Sequence, residues 1–217
     1  MKSPLIIIAA GGHAAELATY LDDRIDYLLG AIDDNTIAGP WQGSRVIGKL
    51  DDIPEILRRY GYLRYITAVG DNYVRRMMVK RIEELRLEQL LQPAIVQHSS
   101  SWCGLGVELG EGTLLAPHSL VTTRTTIGRH CILNVKASVS HDCKIGDYCN
   151  LNPGVTICGN VSIGDDCYIG AGAVIKERVR IGAGSTVGAG AVVISDVPPN
   201  TTAVGVPARA LPPRLNP

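Results

Sequence analysis

The second half of the chain repeats one pattern of hydrophobic and small residues every six positions. From Cys103 onward an aliphatic residue recurs at each sixth position, and a small or β-branched residue follows it four positions later. The aliphatic set is Leu109, Leu115, Val121, Ile127, Leu133, Val139, Ile145, Leu151, Ile157, Ile163, Ile169, Ile175, Ile181, Val187 and Val193. The small set is Thr113, Ser119, Thr125, Cys131, Ala137, Cys143, Cys149, Val155, Val161, Cys167, Ala173, Val179, Ser185, Ala191 and Val197. Because a period of six scatters side chains around an α-helix, the pattern predicts short strands joined by tight corners.

This repeat predicts a parallel β-helix in which three hexads close into one triangular coil. The aliphatic residue would point inward, and the small residue would occupy the crowded corner. Glycine follows the aliphatic residue at positions 110, 128, 146, 164, 170, 182 and 188, where we expect it to supply unusual backbone angles. With roughly 4.8 Å between parallel strands, about five coils would form a prism on the order of 25 Å long.

Prolines follow the last repeat. Pro198 and Pro199 lie within the segment 196–200, and Pro207, Pro212 and Pro213 come after it. Since proline lacks a backbone N–H and interrupts a ladder, we predict that this tail stops the coil and does not continue a sheet.

The first half alternates strand and helix patterns. Buried parallel strands are predicted over residues 5–10, 27–32 and 65–69, with helices over about 14–22 and 51–60 and an amphipathic helix opened by Gly70-Asp71-Asn72. This order predicts a small doubly wound α/β domain over residues 1–97.

Ligands of such sheets bind beyond the carboxyl ends of the strands. The residues that occupy those ends are Gly11, Gly12 and His13, then Asp33 and Asp34, then Gly70 and Asn72. Glycines beside a helix start let backbone N–H groups approach a phosphate, and a carboxylate can hold a ribose or a base edge. The segment 9–14 lacks two of the three glycines of the dinucleotide fingerprint, so a compact turn without a ligand stays a second interpretation.

Composition and charge narrow the function classes. The chain has no Phe, 24 Gly and a formal net charge of +0, which suits a narrow interior of small and β-branched residues. A neutral chain lacks the positive field that nucleic acid or an anionic membrane requires. No apolar stretch is long enough to span a bilayer, and the six cysteines form no CxxC pair, so we expect a cytoplasmic protein with core-filling thiols.

Histidines provide the candidate acid–base chemistry of the repeat. His118, His130 and His141 all fall at corner positions, which we expect to face solvent. Asp142 follows His141, and a carboxylate beside an imidazole can orient the ring and stabilise its protonated form. His141 is therefore the candidate general base. The alternative interpretation is an exposed corner histidine with no catalytic function, which would show the same pattern.

Zinc binding and a cysteine nucleophile are the competing chemistries. The three histidines lie on different faces and none has a second histidine within five positions, so we expect no metal. Cys143 is close to His141 in sequence, but its repeat position points inward, where a thiol is unreactive.

The repeat, the run Ser140-His141-Asp142-Cys143-Lys144-Ile145-Gly146 and the terminal segment 204–209 together carry a resemblance. The chain resembles the bacterial sugar acetyltransferases of the left-handed β-helix superfamily, over essentially its whole length. That group includes UDP-4-amino-sugar N-acetyltransferases, sialic acid O-acetyltransferases and GDP-perosamine N-acetyltransferases. The resemblance implies a small Rossmann-like α/β domain followed, over residues 98–217, by a left-handed parallel β-helix with a C-terminal cap.

The resemblance also implies a homotrimer, acetyl-CoA as co-substrate, His141 as general base and Asp142 as its partner. Acetyl-CoA would contact Asn150, Gly154, Gly159, Gly170, Ala171, Lys176, Gly188, Gly205 and Pro207, with Lys176 near the 3′-phosphate. The nucleotide of the sugar would occupy the strand ends of the first domain, at Gly11, Gly12, His13, Asp33, Asp34, Gly70 and Asn72.

Two departures from the family pattern stand out. Many relatives have glycine where this chain has Ala9, and some have histidine where it has Asn150.

The expected reaction is N-acetylation of a nucleotide-linked amino sugar, such as GDP-perosamine or a UDP-4-amino-sugar, by direct attack. O-acetylation of sialic acid or another sugar is one alternative, and a non-catalytic scaffold that senses a nucleotide is another. GDP and UDP are not distinguished, because Asp33 or Asp34 could accept from either base.

Overall fold

The chain folds as two compact units in a computed structural model, which describes residues 3–22 and 26–211. The units comprise residues 1–98 and 99–217. Pro212 and Pro213, which we predicted to help end the coil, lie outside the described residues. No helix within the described ranges is long and apolar enough to cross a membrane.

The first unit is an α/β layer structure. Its strands are β1 (Ser3–Ile8), β2 (Asp26–Ile32), β3 (Gly39–Trp41), β4 (Ser44–Gly48), β5 (Leu63–Thr67), β6 (Leu91–Pro93) and the short β7 (Val96–Gln97). Its helices are α1 (Gly12–Ala18), α2 (Ile53–Tyr60), entered through a 3-10 turn at Leu50–Asp52, and α3 (Asn72–Glu84). The Asp71 carboxylate begins α3 by accepting from the Val74 N–H at 2.9 Å, the usual role of an N-cap aspartate.

The sheet of this unit has the order β3-β4-β2-β1-β5-β6 and is parallel except for the β3–β4 hairpin. The central strand β1 is buried on both faces from Leu5 to Ile8, as the continuous apolar run predicts. The hairpin and β6 were not predicted from the sequence. Since β1 pairs with β2 on one side and with β5 on the other, the carboxyl ends of β1 and β5 are neighbours at the switch point of the sheet.

The second unit is a parallel β-helix built from three sheets. One contains Leu114–Leu115, Ile132–Leu133, Asn150–Leu151, Tyr168–Ile169, Thr186–Val187, Thr202–Gly205 and Ala208–Ala210. The second contains Trp102–Cys103, Leu120–Val121, Ser138–Val139, Thr156–Ile157, Val174–Ile175 and Val192–Val193. The third contains Glu108–Leu109, Thr126–Ile127, Lys144–Ile145, Ser162–Ile163 and Arg180–Ile181. From Trp102 to Val193 successive strands of each sheet pair in parallel 18 residues apart, for example Ser138 with Thr156, so the predicted fold is confirmed.

The interior contains the two predicted sets of residues. From Leu115 to Val193 every aliphatic repeat position is buried, and all the small repeat positions are buried as well. Several small positions also donate a hydrogen bond to a corner carbonyl 15 residues later, among them Thr113 to Gly128, Cys131 to Gly146, Cys149 to Gly164 and Cys167 to Gly182. Ser185 donates likewise to the Pro198 carbonyl, 13 residues later. The buried cysteines therefore satisfy backbone acceptors in addition to filling space.

The corners show that the expected role of the repeat glycines was wrong. Glycines that follow the aliphatic residue, such as Gly146 and Gly170, do not have a positive φ. They are required because a Cβ would lie 2.6 Å from the Asp165 nitrogen and 2.5 Å from the Ala189 nitrogen of the next coil, respectively. The left-handed residue is instead the one three positions after the aliphatic residue.

The left-handed residues define three corners. We name one corner after His141, which directly precedes the left-handed Asp142, and the other two after the left-handed residues His130 and Gly154. The His141 corner has Gly106, Arg124, Asp142, Asn160 and Arg178 at this position, the His130 corner has Gly112, His130, Tyr148, Asp166 and Gly184, and the Gly154 corner has His118, Lys136, Gly154, Gly172 and Gly190. Their φ values lie between 49° and 72°. Asp, Asn and Gly tolerate this region best.

The C-terminal tail does continue a sheet, so the prediction that it could not was wrong. Thr202–Gly205 pairs in parallel with Thr186–Val187, and Ala208–Ala210 folds back antiparallel onto it. Pro198 and Pro199 lie between these strands, and Pro207 lies in the turn of the final hairpin, so no proline has to donate to the ladder.

Candidate functional site

His141 and Asp142 lie side by side at their corner, between the strands Ser138–Val139 and Lys144–Ile145. The His141 side chain is about half exposed, and its Nδ1 lies 2.7 Å from the Asp142 Oδ2. The left-handed backbone of Asp142, with φ of 59°, turns its carboxylate back toward the imidazole. The two residues predicted from sequence as a catalytic pair are thus in direct hydrogen-bond contact.

Arg124 completes this arrangement from the preceding coil. Its Nε donates to the Asp142 Oδ1 at 2.7 Å and its Nη2 donates to Oδ2 at 3.0 Å. The hydrogen bonds from Arg124, and then that from His141, lower the pKa of Asp142 to about 2. An ionised carboxylate only accepts, so the His141 Nδ1 carries the shared hydrogen, and in the neutral imidazole Nε2 has the lone pair. Sequence reasoning missed Arg124, although its spacing of 18 residues from Asp142 was the available signal.

Gly159 lies against the His141 ring from the next coil. A Cβ at this position would lie 2.6 Å from the His141 Cε1 and 2.7 Å from Nε2, so only glycine leaves room for the imidazole. The Gly159 N–H has no hydrogen-bond acceptor among the described residues. Its neighbours donate normally, since the Asn160 N–H bonds the His141 carbonyl and the Cys158 N–H bonds Ile175. The His141 corner therefore combines a basic ring nitrogen with an uncommitted backbone donor.

The other candidate acid–base groups are arranged differently. His118 is exposed as expected, but His130 is buried, and its ring stacks on Tyr148 with centroids 5.3 Å apart, so its expected exposure was wrong. The Cys143 thiol points inward, and burial raises its pKa. No cluster of three His, Cys, Asp or Glu side chains that could hold a metal occurs within residues 3–22 and 26–211.

The residues predicted to bind acetyl-CoA lie mainly at two corners. Gly159 and Lys176 belong to the His141 corner, and Gly154, Gly170, Ala171 and Gly188 belong to the Gly154 corner. These corners border the same sheet, whose outward side chains include Ser138, Thr156 and Val174. Gly205 and Pro207 lie in the exposed final hairpin, whereas Asn150 is buried on a strand.

A shallow groove of about 760 Å³ lies on the third sheet, beyond the His141 corner. Lys144, Ser162 and Arg180 provide outward side chains along it, and Pro198 and Pro199 form part of its wall. None of the predicted acetyl-CoA residues lines this groove, so we do not assign it to the predicted donor site.

The residues predicted for the nucleotide meet at one edge of the first unit. Gly11, Gly12 and His13 follow β1, and Gly70 and Asn72 follow β5, the adjacent parallel strand. A Cβ on Gly11 or Gly12 would meet nothing within 4 Å. This part of the edge is therefore open.

Two of the predicted nucleotide ligands are already engaged within the protein. Burial alone would raise the pKa of Asp33, but its carboxylate accepts backbone N–H bonds from Asn35, Ala10 and Thr36, which lower it. Burial likewise opposes the lowered pKa of Asp34, whose carboxylate accepts from the Leu50 N–H and from Arg81 at 2.6 Å. Both carboxylates thus tie loops to the sheet, which the sequence did not reveal.

His13 and Arg75 lie at the same edge of the sheet and are largely buried. Burial lowers the pKa of His13, whose Nδ1 lies 3.5 Å from Glu16. Arg75 is fully buried and donates to the Val69 carbonyl at 2.8 Å and to the Asn72 Oδ1 at 2.9 Å. The turn after β5 is therefore held by a buried guanidinium.

Family models match both halves of the chain. The model described as "PglD N-terminal domain" matches residues 4–82. The model described as "Bacterial transferase hexapeptide (six repeats)" matches residues 124–159 and 160–195.

Solved structures match over nearly the full length. PerB from Caulobacter crescentus, in complex with CoA and GDP-perosamine, is 31% identical, with a TM-score of 0.88 over 97% of this chain and 98% of that one. WeeI from Acinetobacter baumannii is 31% identical, with a TM-score of 0.83 over 97% of this chain and all of that one. The acetyltransferase domain of PglB from Neisseria gonorrhoeae is 29% identical, with a TM-score of 0.86 over 97% and 100% of the two chains.

A curated relative is the GDP-perosamine N-acetyltransferase of Escherichia coli O157:H7. It is 33% identical over 146 residues, which are 64% of this chain. The matched region spans 62% of the relative's own length.

The fold and these comparisons define an acyltransferase of the left-handed hexapeptide β-helix class, as predicted. Within that class, the chain belongs to the sugar N-acetyltransferase family that includes the perosamine enzymes.

Proposed function

We propose that the chain transfers the acetyl group of acetyl-CoA to the amino group of a nucleotide-linked amino sugar. The acceptor is GDP-perosamine or a UDP-4-amino-sugar, and the product serves O-antigen or related polysaccharide synthesis. The observation that carries the proposal is the His141–Asp142 pair, which is held by Arg124 and has Gly159 of the next coil close against the imidazole. The perosamine enzyme relatives support the choice of acceptor.

The reaction proceeds by direct attack of the amine on the thioester carbonyl. The His141 Nε2 accepts a proton from the attacking amino group, and Asp142 stabilises the resulting imidazolium through Nδ1. As the tetrahedral intermediate collapses, the C–S bond breaks and the imidazolium returns that proton to the sulfur, so CoA leaves as the free thiol. General-base assistance of this kind contributes roughly 10²–10⁴-fold. The Gly159 N–H donates to the carbonyl oxygen as it gains negative charge, a contribution of roughly 3 kcal/mol for one well-placed donor.

The donor is placed along the coil between the His141 corner and the Gly154 corner. The small residues Gly154, Gly170, Ala171 and Gly188 let the chain of acetyl-CoA approach the backbone, and the buried Asn150 lies on the neighbouring sheet, beyond the Gly154 corner. Lys176, which is exposed and 3.9 Å from Glu177, pairs with the 3′-phosphate, and the hairpin at Gly205 and Pro207 borders the nucleotide. Neighbouring subunits of a homotrimer complete this site.

The nucleotide of the acceptor is placed at the open edge of the first unit. Backbone groups of Gly11 and Gly12 receive the diphosphate, with His13, Gly70 and Asn72 around the nucleoside. Asp33 and Asp34 shape the pocket through their loops. The six cysteines are all free, which suits the reducing cytoplasm where we place the reaction.

The test is a CoA-release assay with GDP-perosamine, a UDP-4-amino-sugar and free sialic acid as acceptors. Release with an amino sugar supports the proposal, release with sialic acid alone supports O-acetylation, and no release with any acceptor supports a binding scaffold. His141→Ala and His141→Asn should lower kcat roughly 10²–10⁴-fold with an unchanged Tm, because the side chain is about half exposed.

His118→Ala is the control, since His118 is another exposed histidine at a corner of the coil. Its kcat should equal that of the wild type. Wild-type turnover by the His141 variants would rule out His141 as the base.

A further inference from the structure

The strongest feature outside the predicted site is the guanidinium that holds Asp142. We infer that Arg124 is a positioning residue, which fixes the Asp142 carboxylate so that His141 presents Nε2 to the acceptor. This inference rests on the proposed function of His141. Arg124 itself is assigned no contact with either substrate.

The Asp142 carboxylate needs an external constraint. Its side chain is one-third exposed, and an exposed carboxylate can rotate between rotamers and toward solvent. The hydrogen bond to His141 constrains only Oδ2. The Arg124 fork constrains both oxygens at 2.7 and 3.0 Å, and such bidentate pairing adds a fixed plane as well as energy.

Arg124 is itself fixed by the coil. Its φ is 49°, and its N–H donates to the Leu105 carbonyl at 3.1 Å. The Asp142 N–H donates in turn to the Thr123 carbonyl at 3.0 Å. The two side chains therefore extend from consecutive coils of a rigid ladder, so the direction of the fork is determined by the fold.

The Arg–Asp pair at the His130 corner has a different geometry from the Arg124–Asp142 pair. Arg129 and Asp147 are also 18 residues apart, but their Nε–Oδ2 distance is 3.4 Å. The Asp147 Oδ1 accepts from the Arg129 N–H instead. Asp147 has no adjacent histidine in the sequence, so this pair supports the corner alone and provides a matched control.

The stability of the two pairs is expected to be similar and small. The Arg124 side chain is 65% exposed, and exposed ion pairs contribute little to folding. Loss of Arg124 should therefore affect turnover without affecting Tm, the opposite of what a purely structural ion pair would show.

The experiment compares Arg124→Gln, Arg124→Lys and Arg129→Gln in the full-length enzyme with acetyl-CoA and the best amino-sugar acceptor. Arg124→Gln should lower kcat roughly 10-fold, since a misplacement of about 1 Å can cost up to 10²-fold, with both KM values and Tm unchanged. Arg124→Lys should recover only part of kcat because it cannot form the fork. Arg129→Gln should have wild-type kcat.

A double-mutant cycle with Asp142→Ala separates positioning from other roles. If Arg124 acts through Asp142, then Arg124→Gln should lower kcat no further in the Asp142→Ala background. Independent, multiplicative effects would overturn the inference, as would a raised KM for either substrate or an unchanged kcat in Arg124→Gln.

A spectroscopic measurement on the histidines adds a readout that does not depend on turnover. In ¹⁵N-histidine-labelled enzyme, His141 should be an Nδ1–H tautomer, and Arg124→Gln should increase the Nε2–H fraction while Arg129→Gln leaves it unchanged. An unchanged tautomer ratio in Arg124→Gln would count against the inference. If His141→Ala retains wild-type turnover, the proposed function fails first, whereas a dead His141→Ala with an active Arg124→Gln rejects only the inference.

Discussion

The contact between Gly159 and His141 leads to a prediction in which one methyl group disables the proposed base. In Gly159→Ala the new Cβ would lie 2.6 Å from Cε1 and 2.7 Å from Nε2 of the His141 ring. Carbon atoms in ordinary contact lie roughly 3.5–4.0 Å apart. The imidazole must therefore retreat by about 1 Å, because the backbone of Gly159 is held in the ladder while the half-exposed ring can move.

A displacement of this size should lower the catalytic rate strongly and change the stability of the fold little. The 2.7 Å bond between the His141 Nδ1 and Asp142 would lengthen or break, and Nε2 would move away from Gly159. A misplacement of about 1 Å costs up to roughly 10²-fold in rate. Alanine is compatible with the backbone of residue 159, whose φ is not positive, so Tm should change little.

The assay is steady-state CoA release combined with thermal unfolding, with Gly164→Ala as the control. There the Cβ would lie 2.6 Å from the Ala183 nitrogen of the next coil, so stability should fall by roughly 1–3 kcal/mol while the folded enzyme keeps its kcat. If Gly159→Ala retains wild-type kcat while a crystal structure shows the ring displaced, the requirement for a positioned His141 is wrong.

Two further predictions concern stability. Ala9→Gly should raise the free energy of unfolding by about 1 kcal/mol in urea titrations, because Ala9 has φ of 102°, a conformation that costs an L-residue roughly 1–2 kcal/mol; a loss of stability would contradict this. Cys149→Ser should be better tolerated than Cys149→Ala, since a hydroxyl can keep the donation to the Gly164 carbonyl now made at 3.1 Å, as Ser185 does in the same column. Alanine should cost roughly 1–3 kcal/mol by orphaning that acceptor, and equal melting curves for the two variants would refute the proposed role of the thiol.

The β-helix could be predicted almost completely because its repeat constrains every coil in the same way. A single period fixed which side chains point inward, and the buried columns agree with it from Leu115 to Val193. The role of the repeat glycines was predicted wrongly because inter-coil distances and backbone angles are both absent from a one-dimensional pattern. Close approach requires glycine at Gly146, while the left-handed position accepts Asp142 or His130.

The α/β unit was predicted less completely, because it has no repeat that constrains its elements in the same way. Short edge elements such as Gly39–Trp41 and Leu91–Pro93 contain too few residues to show a period. The engagement of Asp33 and Asp34 by backbone N–H groups and Arg81 depends on contacts between residues up to 47 positions apart. The sequence predicted correctly that both carboxylates lie at this edge of the sheet, but it could not show that they already accept hydrogen bonds from other groups of the protein.

The His141 corner differs from the His130 corner in how the backbone N–H two positions after the aliphatic residue is used. At the His130 corner the N–H of Arg129 donates to the Asp147 carboxylate and the N–H of Asp147 donates to the Asp165 carboxylate, in each case 18 residues later. At the His141 corner the equivalent residues are His141, Gly159 and Glu177, and the Gly159 N–H has no acceptor among the described residues. The solenoid thus provides the rigid spacing, and position 177 carries Glu where the His130 corner has Asp, so the Gly159 N–H lacks the aspartate acceptor that the N–H of Arg129 has. Glu177→Asp, which places a short carboxylate 18 residues after Gly159, should therefore engage this N–H and lower kcat if the N–H stabilises the thioester oxygen as we propose.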